Sequence, residues 1–93
     1  MNKRTVKRVT ITYINDKSYT IKNVKDLNIT SNCLKFTKVS RKEVAEGITV
    51  YSEDFHIIQL KNVKSVLDES SAYRVRVYKV RDGEVDALHT EYL

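Results

Sequence analysis

The sequence predicts a small all-β fold, either a barrel or a sandwich with mostly antiparallel strands. Apolar residues recur with the two-residue period of half-buried strands, and turn residues separate these runs roughly every 8–12 residues. A chain of 93 residues has room for one domain only, so residues 1–93 are taken as a single β domain. Residues 1–5 form a basic arm whose mobility is left open.

The first half of the chain is predicted to hold four strands, at residues 9–13, 18–24, 26–30 and 33–39. In the first of these, Val9, Ile11 and Tyr13 alternate with polar residues and are expected to face the core. Leu34 and Phe36 share the equivalent face of the fourth strand. Asn and Asp tolerate the backbone conformations that turns require, so residues 15–17 are assigned to a turn.

A short helical connector is predicted next. The run Ser40-Arg41-Lys42-Glu43 fits the capping box, in which Ser and Glu side chains satisfy free backbone N–H groups. Gly47 would end a helix over residues 41–46. We expect this segment to connect two strands rather than to contribute to the core.

The strands resume at residues 48–52 and 55–60, with a tight turn at Glu53-Asp54. Residues 63–67 fit the spacing of either a strand or a helix, and this choice is left open. Residues 68–71 are predicted to form a loop.

The clearest pattern in the sequence is that of a C-terminal β-hairpin. Residues 72–81 and 84–92 flank Asp82-Gly83, which is a strong signal for a type I′ turn. A two-residue loop places Arg81 opposite Glu84. Continued without interruption, this register places Val77 opposite Leu88 in the core, and Tyr78 opposite Ala87 on the other face. Whether the hairpin twists around the body or projects an apolar tip is left open.

Composition narrows the class of protein. The single cysteine, Cys33, cannot form an internal disulfide, and no apolar run approaches the roughly 20 residues of a membrane span. The basic N-terminus lacks the apolar segment of a signal peptide. We therefore expect a cytoplasmic protein with no membrane association, and the short chain leaves a homodimer open.

Groups that carry chemistry are sparse. Cys33, His56 and His89 lack the spacing of a zinc site, and Asp54 with His56 is more typical of a solvated strand edge than of a catalytic base with its orienting group. Both glycines have turn or cap explanations, so no phosphate-binding loop is present. We expect no enzymatic activity, no metal and no cofactor.

The preferred hypothesis is a non-catalytic binding protein. Tyr and Arg dominate interaction hot spots, and the C-terminal hairpin combines both types on one element. Its proposed protein-binding residues are Arg74, Arg76, Tyr78, Val80 and Arg81. The abundance of Lys, Asn, Ile and Thr in a small β domain is typical of phages and mobile elements of AT-rich bacteria. This style suggests an accessory or inhibitory factor that binds a larger host protein or nucleoprotein machine, for example a defence nuclease.

The alternative hypothesis is direct nucleic-acid binding. Residues 1–50 hold eleven basic against four acidic residues, a net charge of +7, whereas residues 51–93 hold six against eight, a net of −2. A basic surface can follow a phosphate backbone. The candidate residues are Lys3, Arg4, Lys7, Arg8, Lys22, Lys35 and Lys38.

Overall fold

A computed structural model describes residues 7–93, which form eight β-strands and no helix. The strands are β1 (Arg8–Tyr13), β2 (Ser18–Lys22), β3 (Val24–Ile29), β4 (Cys33–Ala45), β5 (Ile48–Gln59), β6 (Val63–Glu69), β7 (Arg74–Arg81) and β8 (Glu84–Tyr92). The predicted all-β class is confirmed. The basic arm at residues 1–5 lies outside the described residues.

The strands form two antiparallel sheets. One has five strands in the order β2-β1-β6-β7-β8, and the other has three in the order β3-β4-β5. The sheets stay separate rather than closing into a barrel. The segment left open between helix and strand, residues 63–67, belongs to β6, which pairs with β1 on one side and β7 on the other.

Both sheets contribute to one core. Val9 and Ile11 on β1 are buried together with Leu34 and Phe36 on β4, as the alternation predicts. Val66 on β6 lies directly opposite Ile11 and completes this layer. The five-stranded sheet therefore faces the three-stranded sheet through alternate residues of its central strands.

The helical connector predicted at residues 41–46 is wrong. Ser40 to Ala45 continue β4, with Ser40 opposite Ser52 and Arg41 opposite Tyr51 on β5. A helix of under two turns gains too few hydrogen bonds to offset the cost of nucleation, whereas pairing with β5 satisfies the same backbone groups along a ladder. Gly47, at φ 75°, lies in the turn that joins the two strands and does not cap a helix.

The turn predicted at Glu53-Asp54 is also wrong, because both residues lie inside the continuous strand β5. They pair with Val39 and Lys38 on β4. The boundary between the second and third strands, predicted at residue 25, lies at Asn23, whose φ is 60°.

The C-terminal hairpin has the predicted turn, since Asp82 (φ 53°) and Gly83 (φ 79°) both have the positive φ that a type I′ turn requires. Arg81 lies opposite Glu84, as predicted. The register then shifts at a bulge between Lys79 and Val80. The register predicted beyond that point is therefore wrong by one residue.

The bulge exchanges the two faces of β8. Tyr78 lies opposite Leu88, and Val77 lies opposite His89. Tyr78, Val80 and Val85 pack against the core, whereas Leu88, predicted to be buried, is 51% exposed. The tip is docked rather than projecting, and the backbone N–H of Val85 donates to the carbonyl of Ser31 at 2.8 Å.

Candidate interaction surface

A two-stranded ribbon extends from the body of the molecule. β3 accompanies β4 only as far as Lys38, which lies opposite Val24, and the N–H of Val39 still donates to the carbonyl of Asn23 at 2.9 Å. Beyond this point β4 and β5 pair only with each other among the residues that the structure describes. We call residues 40–52 the ribbon. All of residues 40–57 are exposed, so both faces of the ribbon are open to solvent.

One face of β4 and β5 points away from the core, because Leu34 and Phe36 occupy the other face. On β5 this face carries Tyr51, Phe55 and Ile57, which are 66%, 65% and 55% exposed. These side chains lie opposite Arg41, Thr37 and Lys35 on β4, respectively. We call these six residues the outward face.

The outward face combines apolar area with positive charge. Lys25 on β3 lies beside it and forms an ion pair with Glu53, and the hydrogen bond to Glu53 raises the pKa of Lys25 above its usual value. Lys35 and Arg41 form no ion pair with any residue in the range 7–93. Glu53, the acidic side chain that β5 directs to this face, is thus neutralised, while two cations remain beside the exposed rings.

A groove of about 500 Å³ lies where the ribbon meets the body. It is lined by Lys7, Asn23, Val24, Lys25, Val39, Ser40, Arg41 and Tyr51. Tyr51 and Arg41 therefore belong both to the outward face and to the groove. The groove extends the positive character of the outward face toward the body.

The protein-binding residues predicted on the C-terminal hairpin do not form one free surface. Arg74, Arg76, Tyr78 and Val80 share one face of β7, but Tyr78 and Val80 pack against the core. The Arg76 guanidinium donates to the Tyr78 hydroxyl at 3.5 Å, and this hydrogen bond raises the pKa of Arg76. Arg81 lies on the other face, 3.7 Å from the Asp86 carboxylate.

The residues predicted to bind nucleic acid are spread over different surfaces. Arg8 and Lys22 lie opposite each other on the side of the five-stranded sheet that faces away from the core. Arg8 also donates to Glu69 at 2.9 Å, and this hydrogen bond raises the pKa of Arg8. Lys35 lies on the outward face, and Lys38 lies opposite Asp54 on the reverse side of the same sheet.

Lys7 lines the groove, whereas Lys3 and Arg4 lie outside the described residues. Residues 7–93 therefore place only part of the predicted basic surface on any one side of the molecule.

The candidate chemical groups stay apart. Cys33 is buried, with its sulfur 3.0 Å from the Thr30 hydroxyl. The His56 ring stacks on Phe36, with ring centroids 5.2 Å apart, and His89 lies 3.4 Å from Glu91. Among residues 7–93 no group of three or more His, Cys, Asp or Glu side chains is placed to hold a metal ion.

Comparisons with known proteins add no relatives: no protein-family model matches the chain, and neither a curated protein nor a solved structure is significantly similar to it. Over the described part of the chain, no helix is long and apolar enough to cross a membrane.

Phe55, Ile57 and Arg41 were not predicted as contact residues from the sequence. Tyr51, Phe55 and Ile57 occupy odd positions of one strand, so their shared face follows from the period of two once β5 is continuous. The assumed turn at Glu53-Asp54 split this run and concealed the alternation.

Proposed function

We propose that the protein is a non-catalytic binding protein whose contact surface is the outward face together with the ribbon. The observation that carries this proposal is the unbroken exposure of residues 40–57, which include Tyr51, Phe55 and Ile57 on one side of a single strand. Large exposed apolar patches on a folded domain mark interaction sites. Here the patch lies on paired strands, so little backbone ordering is needed on binding.

The chemistry of the surface favours a protein partner. Tyr and Arg are enriched among residues that dominate binding energy, and Tyr51 and Arg41 form a directly opposed pair on this face. An exposed apolar strip with flanking cations suits a partner surface that has an apolar centre and acidic groups at its rim. The sequence suggested a contact surface of Tyr and Arg side chains on the C-terminal hairpin. The same residue types lie on the β4–β5 hairpin, where they are accessible.

The wider biological role is proposed from the residue composition, which is rich in Lys, Asn, Ile and Thr. A small β domain that presents a contact surface suits an accessory or inhibitory factor of a phage or mobile element, acting on a larger host protein or nucleoprotein machine. In that role the protein would act by occupying a surface of its partner.

A second candidate is single-stranded nucleic acid. Tyr51 and Phe55 are exposed rings on one sheet face, with Arg41 and Lys35 on the neighbouring strand. Exposed aromatic side chains beside cations can act as stacking platforms for bases. In this candidate function the nucleic acid would contact the outward face, whereas the sequence suggested a basic surface spread over the N-terminal half.

The test is capture of partners from a host lysate by the wild-type protein and by the double variant Tyr51→Ala/Phe55→Ala, each with and without nuclease treatment. Tyr92→Ala is the matched control, since Tyr92 is 78% exposed and lies on the C-terminal hairpin. The captured protein is identified, purified and titrated against each variant.

We expect a nuclease-resistant partner that binds wild type and Tyr92→Ala alike and binds the double variant at least tenfold more weakly. Loss of the partner on nuclease treatment would favour the nucleic-acid candidate. Binding to single-stranded oligonucleotides should then fall steeply as salt concentration rises. Equal binding of the purified partner to the double variant and the wild type would exclude the outward face as the contact surface.

A further inference from the structure

Among residues 7–93, no strand pairs with the outer side of β5, which is therefore an open sheet edge. β5 is the last strand in the order β3-β4-β5, it is 12 residues long, and residues 48–57 are all exposed. A long, exposed edge strand that carries apolar residues offers unpaired backbone groups to another strand. The edge of β5 therefore presents a backbone surface in addition to the side chains of the outward face.

The pairing with β4 determines which backbone groups of β5 are free. The N–H of Leu60 donates to the carbonyl of Asn32 at 3.0 Å, and these two residues continue the register of β4 and β5 one position beyond the Cys33–Gln59 pair. Hydrogen-bonded pairs alternate along an antiparallel ladder, so His56 and every second residue from it bond to β4. Glu53, Phe55 and the other odd-numbered residues of β5 direct their N–H and C=O groups to the open edge.

A second copy of the chain can pair with this edge about a two-fold axis, and charge selects the position of the axis. An axis at Glu53 or at Asp54 would place a carboxylate opposite its own copy, and like charges directly opposite are destabilising. An axis at Phe55 instead pairs the two Phe55 rings and places Asp54 opposite His56 of the second copy. Glu53 then lies opposite Ile57, but its charge is already paired with Lys25. Axes at Ser52 and at His56 leave Asp54 opposite an apolar side chain.

We infer that the protein forms an antiparallel homodimer in which β5 pairs with β5 of a second copy about a two-fold axis at Phe55. The two three-stranded sheets then become one six-stranded sheet, and the outward faces of both copies join across the axis. A hydrogen bond between Asp54 and His56 of the second copy, and the paired Phe55 rings, favour this register over its neighbours.

The inference does not depend on the proposed function, because two copies of the chain pair through backbone groups at the edge and through Phe55, with no third component. It is tested on the purified protein without any partner. The first experiment is the rate of disulfide cross-linking of Phe55→Cys in a Cys33→Ser background. Hydrogen-bonded antiparallel pairs have Cα atoms about 5.5 Å apart, inside the range that a disulfide spans.

Tyr51→Cys in the same background is the matched control, since Tyr51 lies on the same strand and face and is equally exposed. With the axis at Phe55, the two copies of position 51 are roughly 26 Å apart along the strands. We expect Phe55→Cys to form the linked dimer at least tenfold faster than Tyr51→Cys. Adding Gln59→Cys to Tyr51→Cys should restore rapid cross-linking, because positions 51 and 59 are opposite across the axis.

A second experiment measures the dimer dissociation constant by sedimentation with all native side chains at the axis retained. Glu53→Pro removes an outward N–H inside the paired stretch, and Thr49→Pro removes one beyond it; proline is tolerated at such edge positions. Glu53→Gln controls for loss of the Lys25 ion pair. We expect a dissociation constant at least tenfold higher for Glu53→Pro than for Thr49→Pro and Glu53→Gln. Equal cross-linking of Phe55→Cys and Tyr51→Cys, or a monomeric wild type at millimolar concentration, would overturn the inference.

Discussion

The β4–β5 and β7–β8 hairpins have similar alternation of apolar and polar residues but different surroundings. β7 pairs with β6 as well as β8, and Tyr78 and Val80 pack against the core. β4 loses its β3 neighbour after residue 39, and residues 40–57 are exposed. The difference shows that alternation identifies a strand, whereas burial depends on the sheet that the strand joins.

The comparison also separates two roles for aromatic residues. Phe36 on β4 is 1% exposed and belongs to the core, and Phe55 on β5 is 65% exposed. Both lie on the same pair of strands, on opposite faces. An aromatic side chain on the core face stabilises the fold, whereas one on the outward face is available for contact.

The largest expected effect separates these two phenylalanines. Phe36→Ala should lower the free energy of unfolding by about 3–5 kcal/mol, because it leaves a cavity in the core. Phe55→Ala should cost about 1 kcal/mol or less, the span of strand propensities. Urea denaturation of both variants measures the difference. Equal losses of unfolding free energy in the two variants would mean that Phe55 is as tightly packed in solution as Phe36.

A second pair tests the bulge in the C-terminal hairpin. Tyr78 and Leu88 are opposite each other, but Tyr78 packs against the core and Leu88 is half exposed. Tyr78→Ala should cost about 2 kcal/mol or more, approaching the loss for a buried aromatic residue. Leu88→Ala should cost about 1 kcal/mol or less. The reverse order in thermal or urea unfolding would support the uninterrupted register instead of the bulge.

The two turn glycines sharpen the comparison further. Gly47 and Gly83 have φ values of 75° and 79°, and alanine in that region costs about 1–2 kcal/mol. A Cβ at Gly83 would lie 3.8 Å from the nearest atom, so the cost there is conformational rather than steric. We expect the full loss for Gly83→Ala in the docked hairpin. Gly47→Ala should have a smaller effect on global unfolding, because the ribbon tip can open locally.

The smallest effect is expected at Ser40. It is exposed on β4, opposite Ser52, so Ser40→Ala should change stability by no more than about 0.5 kcal/mol. A helix-capping serine would instead cost about 0.5–2 kcal/mol. A loss well above 0.5 kcal/mol in urea denaturation, accompanied by a change in far-ultraviolet circular dichroism, would contradict the extended ribbon.

The alternation of apolar residues and the turn residues in the sequence were sufficient to predict much of the fold. The alternation at Val9 and Ile11 and at Leu34 and Phe36 predicted which side chains are buried, and Asp82-Gly83 predicted the final turn. These features depend on neighbouring residues along the chain. The all-β class and the antiparallel pairing follow from them.

The errors arise where pairing with a distant segment outweighs a local signal. Ser40 and Glu43 fit a capping box, but their backbone groups pair with β5. One inserted residue at the bulge moves Leu88 to the position opposite Tyr78. The candidate surface was missed for the same reason, since Phe55 was assigned to a new strand after a turn that does not form.

The most direct test of the account measures stability and partner affinity together for Phe55→Ala and Tyr78→Ala. Titration is done with the partner that wild-type protein captures, and affinity is expressed per folded molecule. We predict that Phe55→Ala keeps its free energy of unfolding within about 1 kcal/mol and binds at least tenfold more weakly. Tyr78→Ala should lose stability and keep its affinity. Full affinity of Phe55→Ala, with loss of affinity in folded Tyr78→Ala, would contradict the account and return the contact surface to the C-terminal hairpin.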